Sequence, residues 1–526
     1  MSPRCPTSLR CPTSPRCPKS TRSRIDRELR GVVSIGCRVG AGLLAILAAA
    51  GCGSGDHSDR DLIRRTRIAQ QNVDQSQTSA VDAAPDAPSD DGRADGLPPE
   101  LKDMLVRRYG ADDHWFVGVA ADRGAVEIPF RPGTSVQTPD EPSDSSTNQP
   151  SVHRDGVTAE SPFIGPDACR ECHAERHGRA SQTAHFRTSQ PAGPDTIIDD
   201  VGTSGRTVAT SEPGLQFRVY QNGDHVYQGV DYFGWRFEIP MNVIIGSSRM
   251  AQSYLYWHNN ELYQHNLCCL SEGSRWINSP GFVDGDAIYA RPIEARCLDC
   301  HTTSFDYLGD AVSPSKNRYD PHAIIWGVTC ERCHGPGRDH VTYHRQNPDA
   351  QNARRIVNPA DLSRGAQLDI CGQCHQGDTP IKGDALTYRP GDPLRDHYVF
   401  ADDNGDRTDS VHTSNQRSRL ARSGCFTATE MTCTTCHNPH QRAEGGMRAA
   451  SQSCIACHAD DGCSHESSIA DLDRTANCID CHMPLRRSES FKFETSESAV
   501  FPHFRDHHIR VDREATASFE KQYAIP

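Results

Sequence analysis

The chain of 526 residues is 36% hydrophobic, 7% aromatic and 24% charged, with a mean hydropathy of −0.65. It is too polar for an integral helical membrane protein and lacks a run of about 18 apolar residues, while its length allows two or three domains. Its 56 basic and 69 acidic residues give a net charge of −13, which argues against a nucleic-acid binder driven by phosphate contacts, and its 23 Cys and 25 His point elsewhere.

Residues 1–38 carry eight Arg and one Lys against Asp26 and Glu28, and an uncharged stretch follows from Val39 to Ala50. A basic segment, a short apolar stretch and the small residues Ala49-Ala50-Gly51 before Cys52 predict an export signal over 1–52. The end of this segment resembles a lipoprotein lipobox, which implies a lipid anchor on Cys52; plain cleavage nearby is the alternative. From 53 to 160 there are 20 acidic and 11 basic residues among abundant Ser, Pro, Ala and Gln, a composition that predicts a mostly disordered acidic linker. Within it, Leu101, Met104, Leu105, Tyr109, Trp115 and Phe116 suggest a small folded patch over 101–132.

Fourteen cysteines then fall into seven Cys-x-x-Cys-His motifs. They are Cys169–Cys172–His173, Cys297–Cys300–His301, Cys330–Cys333–His334, Cys371–Cys374–His375, Cys433–Cys436–His437, Cys454–Cys457–His458 and Cys478–Cys481–His482. Two thiols at this spacing add to the two vinyl groups of one porphyrin, and the adjacent imidazole reaches the iron. Zinc sites and redox dithiols also use Cys-x-x-Cys, but neither needs a His directly after the second Cys. The expectation is seven covalent haem c groups. Cys268, Cys269, Cys425 and Cys463 fall outside the motifs and suit packing or a disulfide in an oxidising compartment.

The first motif sits in a module over 161–214. Residues 215–295 have no motif and many aromatics. Phe217–Tyr220, Val226–Val230 and Trp235–Ile239 are strand candidates, and Ser253–Trp257 with Glu261–Gln264 around Asn259-Asn260 predict a hairpin. Six motifs follow within a domain over 296–526, so residues 169–482 average about 45 positions per haem. This predicts a mainly α fold with much irregular loop and the porphyrins as its core, plus a small antiparallel β insertion around 215–293.

Several of these segments carry a resemblance. Phe163-Ile164-Gly165-Pro166-Asp167-Ala168-Cys169, then Cys172-His173 and Thr183-Ala184-His185, resembles the opening of the cytochrome c-552/c-554 family, with Ala180 where that family usually has Trp. Cys330-Glu331-Arg332-Cys333-His334-Gly335-Pro336-Gly337-Arg338-Asp339-His340 is a more specific likeness. Cys433–His437 with Asn438-Pro439-His440, and Cys478–His482 with Met483-Pro484, are similar to segments of the wider superfamily of nitrite reductases and hydroxylamine oxidoreductases. The Cys-x-x-Cys-Lys motif typical of pentahaem nitrite reductases does not occur. The resemblance therefore implies the haem scaffold rather than one reaction.

Each motif His leaves one axial iron position for Met or His. Only six Met follow the first residue, whereas 18 His lie outside the motifs, so two-histidine ligation and low potentials are expected. By likeness to the family, His185, His340, His412, His440 and His507 are the distal candidates, with His322, His344 and His397 in reserve. Two function classes follow. One is a periplasmic electron conduit between a membrane-side donor and an acceptor, working with redox partner proteins and not with nucleic acid. The other keeps one haem open to a small nitrogen or sulfur compound, with His258, His265, Arg249, Arg275 and Tyr254 as possible pocket lining.

Overall fold

The computed structural model describes residues 161–523 apart from 233–234, 259, 290, 309–315, 378, 401–413, 459–476, 489–491 and 495–498, and the backbone of 105–108, 115–118 and 126–130. The signal and most of the acidic linker fall outside the described residues, as do His114, His412 and Cys463. The described part is 32% helical and 23% strand, which corrects the mainly α expectation.

The strands run in chain order as β1 (Leu105–Arg108), β2 (Trp115–Gly118), β3 (Val126–Phe130), β4 (Ser189–Pro191), β5 (Arg206–Ala209), β6 (Leu215–Asn222) and β7 (His225–Tyr232). They continue as β8 (Trp235–Pro240), β9 (Val243–Ile245), β10 (Ala251–His258), β11 (Glu261–Leu270), β12 (Arg275–Asn278) and β13 (Ala287–Ile288). Strands β5-β6-β7-β8 form an antiparallel meander, and β12-β11-β10-β9-β4 a second antiparallel sheet. In a third sheet β1-β2-β3 pair antiparallel and β3 joins β13 in parallel, with Val126 opposite Ala287.

Burial explains the layering. Along β6 every second residue, Leu215, Phe217 and Val219, is buried, the pattern of a sheet with one dry face. These side chains meet Tyr254, Tyr256, Tyr263, Leu267, Trp276 and Tyr289 in one apolar cluster between the two sheets. Gln228 ties the sheets together, accepting from Leu267 N–H at 2.8 Å and donating to its carbonyl at 3.3 Å. The β10–β11 hairpin pairs Tyr256 with Tyr263 and His258 with Glu261. Its other face carries Leu255, Trp257 and Leu262, which pack with Ile293, Leu298, Phe305, Tyr319 and Trp326. The hairpin is thus dry on both faces, and Leu298 lies between the cysteines of the second motif.

What the sequence suggested as a small insertion is a substantial body with its own polypeptide core. The average of one haem per 45 positions concealed the motif-free stretch between His173 and Cys297, where apolar side chains form the interior instead.

The remaining chain is short helices joined by loops, and the helices Ala295–His301, Cys330–His334, Arg364–His375, Gly446–His458 and Ile479–His482 each end on a motif His. Cys433–Thr435 is one turn of 3-10 helix, capped by reciprocal hydrogen bonds between Thr432 and Thr435. The helix Pro166–Ala180 runs on past His173, with a non-helical backbone at that residue. A helical turn puts residues i and i+3 on one face, where both thiols meet one porphyrin edge. Among the described residues no helix is long and apolar enough to cross a membrane.

Candidate haem-binding sites

Four motif imidazoles have Nδ1 fixed by a neighbour. His334 Nδ1–H donates to the Val357 carbonyl at 2.8 Å, His482 Nδ1–H to the Arg510 carbonyl at 2.9 Å, and His375 Nδ1–H to Gln416 Oε1 at 2.9 Å. His301 Nδ1 pairs with the Thr188 hydroxyl at 2.8 Å. With Nδ1 held in this way, the Nε2 lone pair is left to a metal and the ring orientation is set, the outer-shell arrangement of ligating histidines.

Three motif imidazoles face a second imidazole. His334 and His440 stand 6.0 Å apart between ring centres at 26°, and His437 and His507 stand 6.3 Å apart at 27°. His375 and His185 are 5.9 Å apart at 71°. Metal–nitrogen bonds of about 2 Å on either side of one iron, plus ~1 Å from each nitrogen to its ring centre, require about 6 Å. The spacing fits one iron between each pair. The environment also keeps these rings neutral. Burial first, then His375 and His437, lowers the His185 pKa to about 4, and burial lowers those of His334, His375, His437, His440 and His507. A metal ligand must be the neutral imidazole.

The motifs are also close to one another. The thiols of Cys169 and Cys330, of Cys300 and Cys374, of Cys371 and Cys433, and of Cys454 and Cys478 lie near enough to act on each other's ionisation. Each pair links different motifs, and no disulfide joins the described cysteines. Glu331, inside the third motif, is buried and accepts from the backbone N–H of Ile164 at 3.0 Å, Gly165 at 2.8 Å and Gly337 at 2.7 Å. This holds the start of the first motif's helix against the third motif.

His185, His440 and His507 therefore each meet a motif His. His340 does not face one: it lies 4.6 Å from His344 on the helix Arg338–Gln346, and its Nδ1–H donates to the Arg354 carbonyl at 2.7 Å. His344 Nε2 is buried without a hydrogen-bond partner. His322 is exposed, and His397 pairs with the Thr387 hydroxyl at 3.0 Å.

The pocket-lining candidates do not come together. Tyr254 is buried and stacks on Trp276 at 5.3 Å, and His265 is buried between Tyr256 and Tyr289 at 5.2 and 5.8 Å. Arg249 and Arg275 are exposed, with Arg249 near enough to His437 to act on its charge. Cys268 and Cys269 are buried, and burial pushes the Cys269 thiol up to about 12, so both are packing residues rather than nucleophiles.

Sequence reasoning missed the residues inside the motifs, Asp299, Glu331, Arg332 and Gln373. Their signal was polar and charged side chains in positions that the haem attachment itself leaves free.

A profile of the family "Cytochrome c554 and c-prime" matches residues 283–335, and one of the "Doubled CXXCH motif" matches residues 427–462. The chain is 23% identical over 416 residues to the dissimilatory sulfite reductase MccA of Wolinella succinogenes, covering 66% of this chain and 54% of that protein. It is 31% identical over 112 residues to cytochrome c-554 of Nitrosomonas europaea, covering 20% and 46%. It is 26% identical over 207 residues to the multiheme cytochrome MtrA of Shewanella baltica, covering 34% and 56%. The chain thus spans about half the length of the curated relatives it matches. Among solved structures it is similar to the outer cell wall cytochrome OcwA, at 16% identity and a TM-score of 0.40 over 69% of this chain and 82% of that one. By motif, family profile and relatives, the chain is similar to multihaem c-type cytochromes, cytochrome c-554 among them.

Proposed function

We propose that the protein is a seven-haem cytochrome that transfers electrons between a membrane-side donor and an acceptor at the periplasmic face of a bacterial membrane, held there by lipid on Cys52. Bound haem supplies one-electron chemistry. The seven Cys pairs attach the groups and His173, His301, His334, His375, His437, His458 and His482 are the proximal ligands. His440, His185 and His507 would hold the irons together with His334, His375 and His437. His340 and His412 would serve neighbouring motifs, His340 with its Nδ1 engaged by the Arg354 carbonyl.

The observation that carries this reading is the set of imidazole pairs about 6 Å apart. A centre with both axial positions filled exchanges electrons without binding substrate. The nearness of thiols from different motifs supports it further, because neighbouring attachment points keep successive centres close. Intact-mass spectrometry of the exported, matured protein should show seven added haems, and four or fewer overturns the count. Low-temperature electron paramagnetic resonance of the oxidised protein should show only low-spin signals.

A second reading has one specific support. Among the described residues no second imidazole faces His173, His301, His458 or His482, and at the second motif Arg291 and Tyr319 lie beside Cys297. An open iron at that motif would act on a small nitrogen or sulfur compound, and the name of the relative MccA is that of a sulfite reductase. A high-spin signal that takes up cyanide at once, with turnover of such a compound, replaces the conduit by this enzyme.

A further inference from the structure

Asp299 lies between the cysteines of the second motif and is fully buried. Its carboxylate accepts from Arg296 Nη1 at 2.8 Å, Arg332 Nη2 at 2.8 Å and the Tyr398 hydroxyl at 2.6 Å. Arg332 belongs to the third motif, has a side chain only 4% exposed, and also donates to the Asp299 carbonyl at 2.8 Å. Arg296 donates through both Nη atoms to the carbonyl of Gln373, inside the fourth motif, at 3.2 Å, and its guanidinium lies over the Tyr398 ring at 5.0 Å. One cluster thus joins the inner residues of three motifs.

Its charges do not cancel, since two guanidiniums share one carboxylate. Burying such a group costs more than packing apolar side chains of the same volume, so stability alone does not account for it. The cluster borders the neighbouring thiols of Cys300 and Cys374; both guanidiniums act electrostatically on Cys374, and Asp299 opposes them there with a single charge. Those thiols are the attachment points of the second and fourth haems. A fixed positive charge in a medium of low dielectric favours the redox state carrying one more electron.

We propose that the Arg296–Asp299–Arg332 cluster raises the reduction potentials of the two haems attached at Cys297–His301 and Cys371–His375. The inference rests on the reading that these motifs carry haem. It assigns the three side chains a positioning role in energy rather than in space: they touch no iron but bias where an electron resides. Its signature is a pair of opposite signs. Asp299→Asn removes the negative charge and raises both potentials. Arg332→Gln removes a positive charge and lowers them. Tyr398→Phe removes a hydrogen bond without charge and leaves them close to the wild type.

The test is a spectroelectrochemical titration of the full, matured protein, after peptide mass mapping has established haem on the Cys297–Cys300 and Cys371–Cys374 peptides. The expected result is a tenfold change in the oxidised-to-reduced ratio of a two-haem component at fixed electrode potential, about 59 mV for one electron, upward for Asp299→Asn and downward for Arg332→Gln. Arg332→Lys should restore the wild-type midpoint. Should Arg332→Gln fail to fold, Arg296→Gln, at a side chain 18% exposed, supplies the downward arm. Shifts of the same sign in both charge variants, or below threefold, overturn the inference while leaving the haem assignment intact. Wild-type peptides without haem overturn the assignment itself.

Discussion

Replacing Asp506 by Ala tests how the C-terminal segment holds His507 against His437. The Asp506 carboxylate accepts from Arg419 Nε at 2.8 Å and Nη2 at 2.7 Å, from Arg510 Nη1 at 2.7 Å, and from the His508 N–H at 3.0 Å. Burial opposes its ionisation, but the Arg419 and Arg510 hydrogen bonds outweigh it and hold the carboxyl well below the usual range. Its side chain is 1% exposed and that of Arg419 is 8% exposed. Removing one partner of a buried pair leaves the other charge uncompensated and costs about 3–5 kcal/mol. Arg510 is 29% exposed and adds little, about 0–1 kcal/mol. The backbone bonds remain in the variant: Asp506 N–H to the Pro484 carbonyl at 3.0 Å, and Ile509 N–H to the Ser423 hydroxyl at 2.8 Å. The loss should therefore appear as local opening of 503–510, not as global unfolding. At about 1.4 kcal/mol per factor of ten, 3 kcal/mol is roughly a hundredfold loss of hydrogen-exchange protection. Exchange measured by mass spectrometry on the haem-loaded protein reads this directly. Protection within threefold of the wild type would refute the reasoning and show that the iron bond alone seats the segment.

His440→Ala removes the imidazole 6.0 Å from His334, so one haem should become high-spin and bind cyanide at once while the others stay low-spin. Glu331→Gln keeps the shape but loses charge-assisted acceptance of the Ile164, Gly165 and Gly337 N–H groups; a loss of about 1–3 kcal/mol should appear in the denaturant midpoint. Trp257→Ala empties a fully buried site between β10 and the second motif and should cost about 3–5 kcal/mol in thermal unfolding. Cys52→Ala should move the protein from the membrane fraction to the soluble periplasm.

Legibility followed how narrowly the chemistry constrains residue type and spacing. Thioether attachment needs two thiols and an imidazole within five consecutive positions, so the motifs stand out without any fold. Distal histidines are constrained only in space. Family likeness found His185, His440 and His507, which meet motif imidazoles, but also His340, whose nearest ring is His344 on its own helix. The extent of β structure was hidden for another reason. The β10–β11 hairpin was legible, but β4, β5, β9, β12 and β13 are each four residues or fewer, too short to show a period, and they form only by pairing with longer neighbours. The Asp299 cluster was invisible because Arg332 lies 33 residues away and Tyr398 lies 99 residues away along the chain.

The segment linking the first motif to β4 ties the β body to the imidazoles of two motifs. His185, at its start, faces His375 of the fourth motif, and its carbonyl accepts from Val328 N–H at 2.9 Å. Three residues later the Thr188 hydroxyl fixes Nδ1 of His301, and the next residue, Ser189, accepts from Gly327 N–H at 2.8 Å. Gly327 has a φ of +81°, and a Cβ there would collide with the Phe186 carbonyl, so the close approach depends on glycine. Strand β4 is at the same time the edge of the sheet that carries the β10–β11 hairpin. Five residues, 185–189, thus orient an imidazole of the second motif, supply one opposite the fourth, and bind both to a sheet with a dry core. A rigid sheet is the element able to hold two such ligands in fixed relation, because its strands are cross-linked by backbone hydrogen bonds and cannot shift independently. The motif-free third of the described chain therefore fixes where these two imidazoles stand, which a structure of loops alone would leave loose.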